Sequence, residues 1–361
     1  MLISDDLVFI TGATGFVGSS TLLHLLGAGY RVRAAVRSKA EIASILAQPQ
    51  IQALSPGPRL TFAVVPDITV AGAYDDAIEE ATHAIHIASP TPSGGEVIPP
   101  EQHIPHFFSP AAWGTLNMLE AANKAGTVRR VVITSSIMAL APLEEVEGTQ
   151  PRSPEAAITP KDRTASTLGP WKSTFAAYAA SKVSALREAE TWLENEKHGF
   201  DVVHLFPGFV LGRNESATTA AEAMRCTNSL LLGLLLGGQF GPRLGFAVHI
   251  DDVSRAHVEA LNPQLPGNRG FILGQPVWWD DAIDIAKRVC PDAFESRMFV
   301  DDGSVVTTHL PVDTSETEVA FGFKLANLED MVKSVLGQFL TLRAAEGAQG
   351  ASTGVYGDMS A

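Results

Sequence analysis

Three glycines set the frame for this chain. The run Thr11-Gly12-Ala13-Thr14-Gly15-Phe16-Val17-Gly18 follows the apolar segment Leu7-Val8-Phe9-Ile10 and opens a segment of helical periodicity, Phe16 to Ala28. A strand, a glycine-rich turn and a helix in that order form the start of a βαβ unit. Gly12 permits the tight turn, Gly15 lets backbone approach a pyrophosphate, and Gly18 lets the helix pack closely on the strand. The first-turn N–H groups and the positive end of the helix then face the phosphates, with Thr14, Phe16 and Val17 at the contact. Three glycines alone are a weak signal; in this context they point to a dinucleotide.

The rest of the first half agrees. Arg31 to Val36, Leu60 to Val65, His83 to Ala88 and Val131 to Thr134 read as buried strands, with helical segments such as Gly114 to Ala125 between most of them. Strands that alternate with helices and read as continuous apolar runs imply a parallel sheet covered on both faces. The predicted fold is α/β: a Rossmann-type, doubly wound parallel sheet with a smaller, mixed C-terminal substrate lobe. The nucleotide domain is expected over residues 1–207 with part of 245–275, and the substrate lobe over about 208–343. A long helix is predicted after Tyr178 to about Lys197, a strand from Asp201 to Phe206, and a last helix from Leu328 to Leu342 capped by Asn327. The tail 344–361, rich in Gly, Ala and Ser, is expected to be disordered. No internal repeat is evident.

Cofactor choice is legible at the end of the second strand, Ala34-Ala35-Val36-Arg37-Ser38-Lys39. NAD-binding units place an acid about 20 residues past the glycines, where it bonds the ribose 2′-hydroxyl. Here Arg37 stands there, and a guanidinium can grip a 2′-phosphate and stack on adenine. With Lys39 and Ser38 as further donors, NADPH (NADP+) is the expected cofactor. Asp67-Ile68, after the third strand, is read either as a carboxylate near the adenine amino group or as a plain strand-end turn. The formal charge is 26 − 40 = −14. So acidic a chain disfavours nucleic acid and anionic membranes as partners, and any anionic ligand needs a local site.

Tyr178-Ala179-Ala180-Ser181-Lys182 places a phenol and an ammonium at i and i+4 on one helix face. A nearby ammonium lowers a phenol's pKa by stabilising the phenolate, which suits the Tyr to proton donation. Thr134-Ser135-Ser136 ends the fifth strand, at the carboxyl edge where a parallel sheet binds ligands. Glycine loop, strand-end hydroxyls and the Tyr–Lys pair together make one mechanism.

At this point the chain resembles the extended branch of the short-chain dehydrogenase/reductases, over roughly residues 7–340. The resemblance rests on Thr11–Gly18, Asp67-Ile68, His86-Ile87-Ala88-Ser89-Pro90, Gly114-Thr115-Leu116-Asn117, Thr134–Ser136, Tyr178–Lys182, Pro207-Gly208-Phe209-Val210 and Val248-His249-Ile250-Asp251-Asp252-Val253. Within that branch it is most similar to the dihydroflavonol and cinnamoyl-CoA reductase subgroup, and especially to fungal NADPH-dependent aldehyde and ketone reductases. The resemblance implies Ser136 as the catalytic serine, with Ser135 as runner-up, Tyr178 as the acid, and Lys182 as the group that lowers its pKa and binds the nicotinamide ribose. It implies Pro207, Gly208 and Val210 along the nicotinamide, Ala88 and Ser89 near the ribose and phosphates, and Thr134 in the cofactor site. The expected reaction is reversible hydride transfer on an aldehyde or ketone of a small, fairly apolar molecule.

One departure bears on substrate. Flavonoid reductases of this group carry an Asn five positions after the catalytic serine, where this chain has Ala141, then Pro142. Substrate choice is expected in the loop Glu144 to Thr174 and in residues 209–247. A sugar-nucleotide epimerase or dehydratase, a hydroxysteroid dehydrogenase and a non-catalytic NADP(H)-sensing regulator are the competing readings. Arg37 counts against the first, and the intact Ser136, Tyr178 and Lys182 against the last. Cys226 and Cys290 have no metal-ligand spacing, and no metal is expected. Leu230 to Leu236 is too short for a membrane span, and the start lacks the pattern of a signal peptide. A cytoplasmic monomer or homodimer is the expectation.

Overall fold

The computed structural model describes residues 6–92 and 97–353, with side chains described through 348. Seven parallel strands make the central sheet: β1 (Leu7–Thr11), β2 (Arg31–Val36), β3 (Leu60–Val64), β4 (His83–His86), β5 (Arg130–Thr134), β6 (Asp201–Pro207) and, from far along the chain, the strand Arg269–Leu273. That last strand pairs in parallel with β6, and the order across the sheet is Arg269–Leu273, β6, β5, β4, β1, β2, β3. The order reverses between β1 and β4, so their carboxyl ends open a crevice there. Val8, Phe9, Ile10, Ala84, Ile85, Val131 and Val132 are fully buried, as a sheet covered on both faces requires.

The helices depart from the expected bounds in three places. The helix expected from Gly114 starts at Ser109, because Pro110 stands in its first turn and good helix formers follow it. The helix carrying Tyr178 spans Thr174–Asn195 and is capped by Ser173, whose hydroxyl accepts from Ala176 N at 3.1 Å. Tyr178 therefore lies one turn inside the helix, where its position is fixed. The last helix, capped by Asn327 as expected (Asp330 N to Oδ1, 3.0 Å), runs from Leu328 to Thr353. This corrects the expected disorder from 344. Ala344, Ala345 and Glu346 favour helix, and Glu346 reaches back to accept from Ala220 N at 2.9 Å. Residues 354–361 lie outside the described residues.

The second lobe has its own core. Within it β7 (Phe209–Leu211) pairs in parallel with β9 (Phe246–His249), and β11 (Gln275–Pro276) pairs antiparallel with β9. A separate parallel pair joins β8 (Gln239–Leu244) to β12 (Ser304–Thr308); in this chain-order numbering Arg269–Leu273 is β10. Leu230, Leu231, Leu232, Leu234 and Leu235 sit in a short helix buried against Trp279, Phe299 and the last helix. The leucine run is thus a core helix. Among the described residues no helix is long and apolar enough to cross a membrane.

Candidate active site

Four strand ends converge on the crevice. At the end of β1, Gly12 has φ +77°, and a Cβ there would lie 2.9 Å from Ala88 N. A Cβ on Gly18 would lie 1.9 Å from the Gly12 carbonyl oxygen. Both positions are closed by protein. At Gly15 a Cβ would meet only that oxygen, at 3.4 Å, so the space in front of Gly15 is open to something other than the chain itself. Gly15 caps a twelve-residue helix without a side-chain bond, and no acid stands in the first turn. An open cradle at an uncapped helix N-terminus fits a pyrophosphate.

Thr11 ties the loop after β1 to the loop after β4. Its hydroxyl oxygen accepts from Ile87 N and Ala88 N, both at 3.1 Å, so its own hydrogen goes to His86 Nδ1 at 3.0 Å. The ring proton of His86 is then on Nε2. Burial holds this imidazole at a pKa of about 3, with the Lys182 charge acting in the same direction, so it stays neutral. Gly114 lets the neighbouring helix come against Ile68 and His86, and Asn117 donates to the carbonyls of Ile68 and Val70 at 2.8 and 2.9 Å. The Asp67 carboxylate bonds its own turn through Thr69 N and Oγ1, which holds its pKa low.

At the end of β5 the two candidate serines part. Ser136 Oγ accepts from Met138 N at 3.2 Å and lies close enough to the Tyr178 hydroxyl to act on its pKa. Ser135 instead lines a small cavity behind Lys182. The geometry singles out Ser136. Tyr178 is flanked by Phe175 and Phe107, with ring centroids 6.3 and 6.2 Å away. Lys182 Nζ lies 5.7 Å from the Tyr178 ring centroid and donates to Ser89 Oγ at 2.8 Å. Burial pushes this ammonium down to about 8.

The lowering of the Tyr178 pKa expected from Lys182 is not what the free protein has. Burial raises the phenol above its usual value, and the nearby Ser136 hydroxyl offsets that only in part. The physical reason is desolvation of an aromatic pocket, with the lysine engaged on Ser89. Tyr178 is therefore protonated at neutral pH, as a proton donor must be.

The cavity behind Lys182 offers about 20 Å³ to the centre of a water molecule, and one water needs about 10–15 Å³. His86, Thr115, Ser135 and His204 line it. His86 Nε2 and both ring nitrogens of His204 are buried without a partner among the described residues. Thr134 is committed elsewhere: its hydroxyl donates to His257 Nε2 at 2.6 Å, and His257 Nδ1 bonds Val253 O.

The remaining expected residues are spread more widely. Gly208 follows β6, where a Cβ would lie 2.5 Å from Phe246 O, and Val210 is buried in the core. Arg37 is exposed and paired with Glu41 at 2.9 Å, on the rim of the glycine loop's side of the sheet, with Lys39 exposed beside it. A second cavity, of about 230 Å³, lies one helical turn from Tyr178. Its walls include Val146, Ser173, Phe175, Phe209, Arg243 and Leu244, drawn almost entirely from the two segments expected to choose substrate. Sequence reading missed Phe107, Trp171, His204 and Arg243. Trp171 stacks on Phe108 at 4.3 Å and sits in an irregular stretch, while Arg243 sits in β8; neither has a local motif to mark it.

A family model for NAD dependent epimerases and dehydratases matches residues 8–273. The chain belongs to the NAD-dependent epimerase/dehydratase family. Among curated relatives in this family, ketoreductase CTB6 of Cercospora nicotianae is 34% identical over 352 residues, covering 94% of this chain and 96% of that protein. Aldehyde reductase 2 of Sporidiobolus salmonicolor is 29% identical over 347 residues, covering 93% and 97%. Of solved structures, Gre2 from Candida albicans in complex with NADPH superposes with a TM-score of 0.75 at 23% identity, covering 93% of this chain and 99% of that one. The likeness to that solved structure thus extends across both lobes of this chain.

Proposed function

We propose that the protein is an NADPH-dependent carbonyl reductase that converts an aldehyde or ketone of a small organic molecule to the alcohol, acting as a cytoplasmic monomer or homodimer. The observation that carries this reading is the Tyr178 hydroxyl, protonated, with Ser136 acting on it from the end of β5 and Lys182 one turn along the same helix, while the flanking Phe175 also lines a cavity of organic-molecule size. The names of the ketoreductase and aldehyde reductase relatives support it, as does the NADPH complex of the structural neighbour.

The cofactor fits the residues present. The cradle at Gly12, Thr14, Gly15, Phe16, Val17 and Gly18 would hold its pyrophosphate, and Arg37 and Lys39 its 2′-phosphate. Asp67 and Ile68 would lie toward the adenine, and Ala88, Ser89, Thr134, Lys182, Pro207, Gly208 and Val210 along the ribose and nicotinamide. When bound, NADPH supplies the hydride for the carbonyl carbon. Ser136 and Tyr178 hold the carbonyl oxygen, Tyr178 gives it a proton, and Lys182 stabilises the phenolate left behind. Phe107 and Phe175 keep water from the Tyr178 ring.

Tyr178→Phe should lower turnover by about 10²–10⁴-fold, with NADPH binding nearly intact. NADPH absorbance against a panel of aryl aldehydes, diketones and keto esters, with fluorescence titration of the cofactor, measures both. A Phe variant as active as the wild type would remove Tyr178 from this role. Cofactor binding without consumption on any carbonyl would favour a bound-cofactor epimerase instead.

A further inference from the structure

The walls of the 230 Å³ cavity near Tyr178 mix apolar side chains with Ser173, Glu147 and Arg243. Phe175, Phe209, Val146 and Leu244 supply the apolar part, while Arg243 enters from β8, at the register of Thr307 in β12. Its guanidinium is partly buried, and Nη1 donates to the carbonyl of the preceding residue, Pro242, at 2.9 Å. No carboxylate is within ion-pair reach among the described residues. Glu147, an exposed residue that also lines the cavity, is the one acid whose charge acts on it, from beyond ion-pair distance. Burial pushes the guanidinium below its usual value, the direction expected of a cation short of a partner.

In a chain of formal charge −14, most arginines find acids; Arg130, Arg152, Arg163, Arg269 and Arg288 all do. A cation left over inside a cavity that the substrate must enter has a different use. We propose that Arg243 receives a carboxylate carried by the substrate at the end remote from the reacting carbonyl, so that the preferred substrates are carbonyl compounds bearing an acid group: aldehydo or keto acids with an apolar body between the two ends. The planar fork of a guanidinium accommodates both oxygens of a carboxylate, and the partial burial of Arg243 makes that contact stronger than it is in water. Ser173, also on the wall, is committed as a helix cap, which leaves Arg243 as the one cation among the lining residues. This inference rests on the carbonyl-reductase reading, since that reading makes the cavity the substrate's.

Two readouts separate the two claims. In the first, calorimetry in the presence of NADPH compares para-methylbenzoate, which cannot be reduced, with its methyl ester, on wild type, Arg243→Met and Arg243→Lys. The acid-over-ester preference should fall about tenfold or more in the Met variant and be partly retained in the Lys variant. In the second, kcat/KM for para-formylbenzoate and for its methyl ester is measured on the same proteins. The acid-to-ester ratio should fall by a similar factor, mainly through KM. A preference that is missing in the wild type, or equal in all three proteins, overturns the assignment of Arg243. Arg243-dependent binding of the acid without turnover of either aldehyde leaves the anion site standing and overturns the reductase reading.

Discussion

An ammonium surrounded by protein gives up its proton more readily than one in water. Lys182 is such a group: burial brings it to about 8 from the usual 10.5, and its nearest charged or titratable neighbours, Tyr178 and His86, are both neutral near pH 7. If its charge stabilises the phenolate, the protonated form is the active one. The sign follows: kcat/KM for carbonyl reduction should be level below about pH 8 and fall as pH rises through it. A steady-state pH profile checks this, and a level profile to pH 10 would take Lys182 out of the chemistry. Tyr178, pushed up by burial, titrates above this window and does not set the falling limb.

The residues legible in the sequence share a property: their chemistry is local. Gly12, Gly15 and Gly18 act through consecutive backbone, and Tyr178 and Lys182 through one helical repeat. Phe107, Trp171, His204 and Arg243 act only because distant segments fold against one another, so spacing carries no trace of them. The choice between Ser135 and Ser136 is intermediate. The sequence ranks them by resemblance, while the fold distinguishes them physically: Ser136 acts on the Tyr178 hydroxyl, and Ser135 lines the small cavity by Lys182.

Among the elements, β5 and β6 are fastened to the helix Ile250–Glu259 and the turn after it by one side chain. Arg130 is buried; it bonds both carboxylate oxygens of Asp201, at 2.6 and 2.9 Å, and the carbonyls of Ala260, Asn262 and Leu265, each at 2.8 Å. Removing the guanidinium orphans one carboxylate and three carbonyls. Arg130→Met should destabilise the protein by roughly 2–4 kcal/mol, below the full value for a buried pair because Asp201 is partly exposed and can be rehydrated. Urea unfolding of the two proteins measures it. The strand pattern was readable from apolar runs, but this clamp was not, because a lone Arg opening a strand looks like any solvated charge. Composition misled at the last helix: a stretch of small residues suggested disorder, yet the bond from Glu346 to the backbone of Ala220 gives that stretch a place on the second lobe.

At the scale of the molecule, four histidines are locked neutral by burial. His83, His204 and His257 are held at about 4 and His86 at about 3, against an ordinary 6.5. Their folded pKa values are depressed, so folding excludes protons that the unfolded chain takes up. The stability they contribute is therefore complete above about pH 6.5 and is lost as pH falls, by roughly 1.4 kcal/mol per pH unit for each histidine at the steepest. The loss should begin well above the carboxylate range. Urea melts at pH 7 and pH 5 should differ by several kcal/mol, with proton uptake on unfolding at pH 5. Equal stability at the two values would mean that the imidazoles are hydrated in the native state.

The order of the chain imposes an order on assembly. All seven strands of the central sheet are in hand once Leu273 has left the ribosome. The second core waits for Met331, Val332, Val335, Leu336 and Phe339, some 60 residues later. During synthesis the nucleotide half can therefore close on itself while the surfaces of Leu230, Leu231 and Trp279 are still bare. A cell that supplies cofactor early would give that half a ligand before its companion exists, and the final helix then acts as the bolt that completes the second lobe against a finished wall.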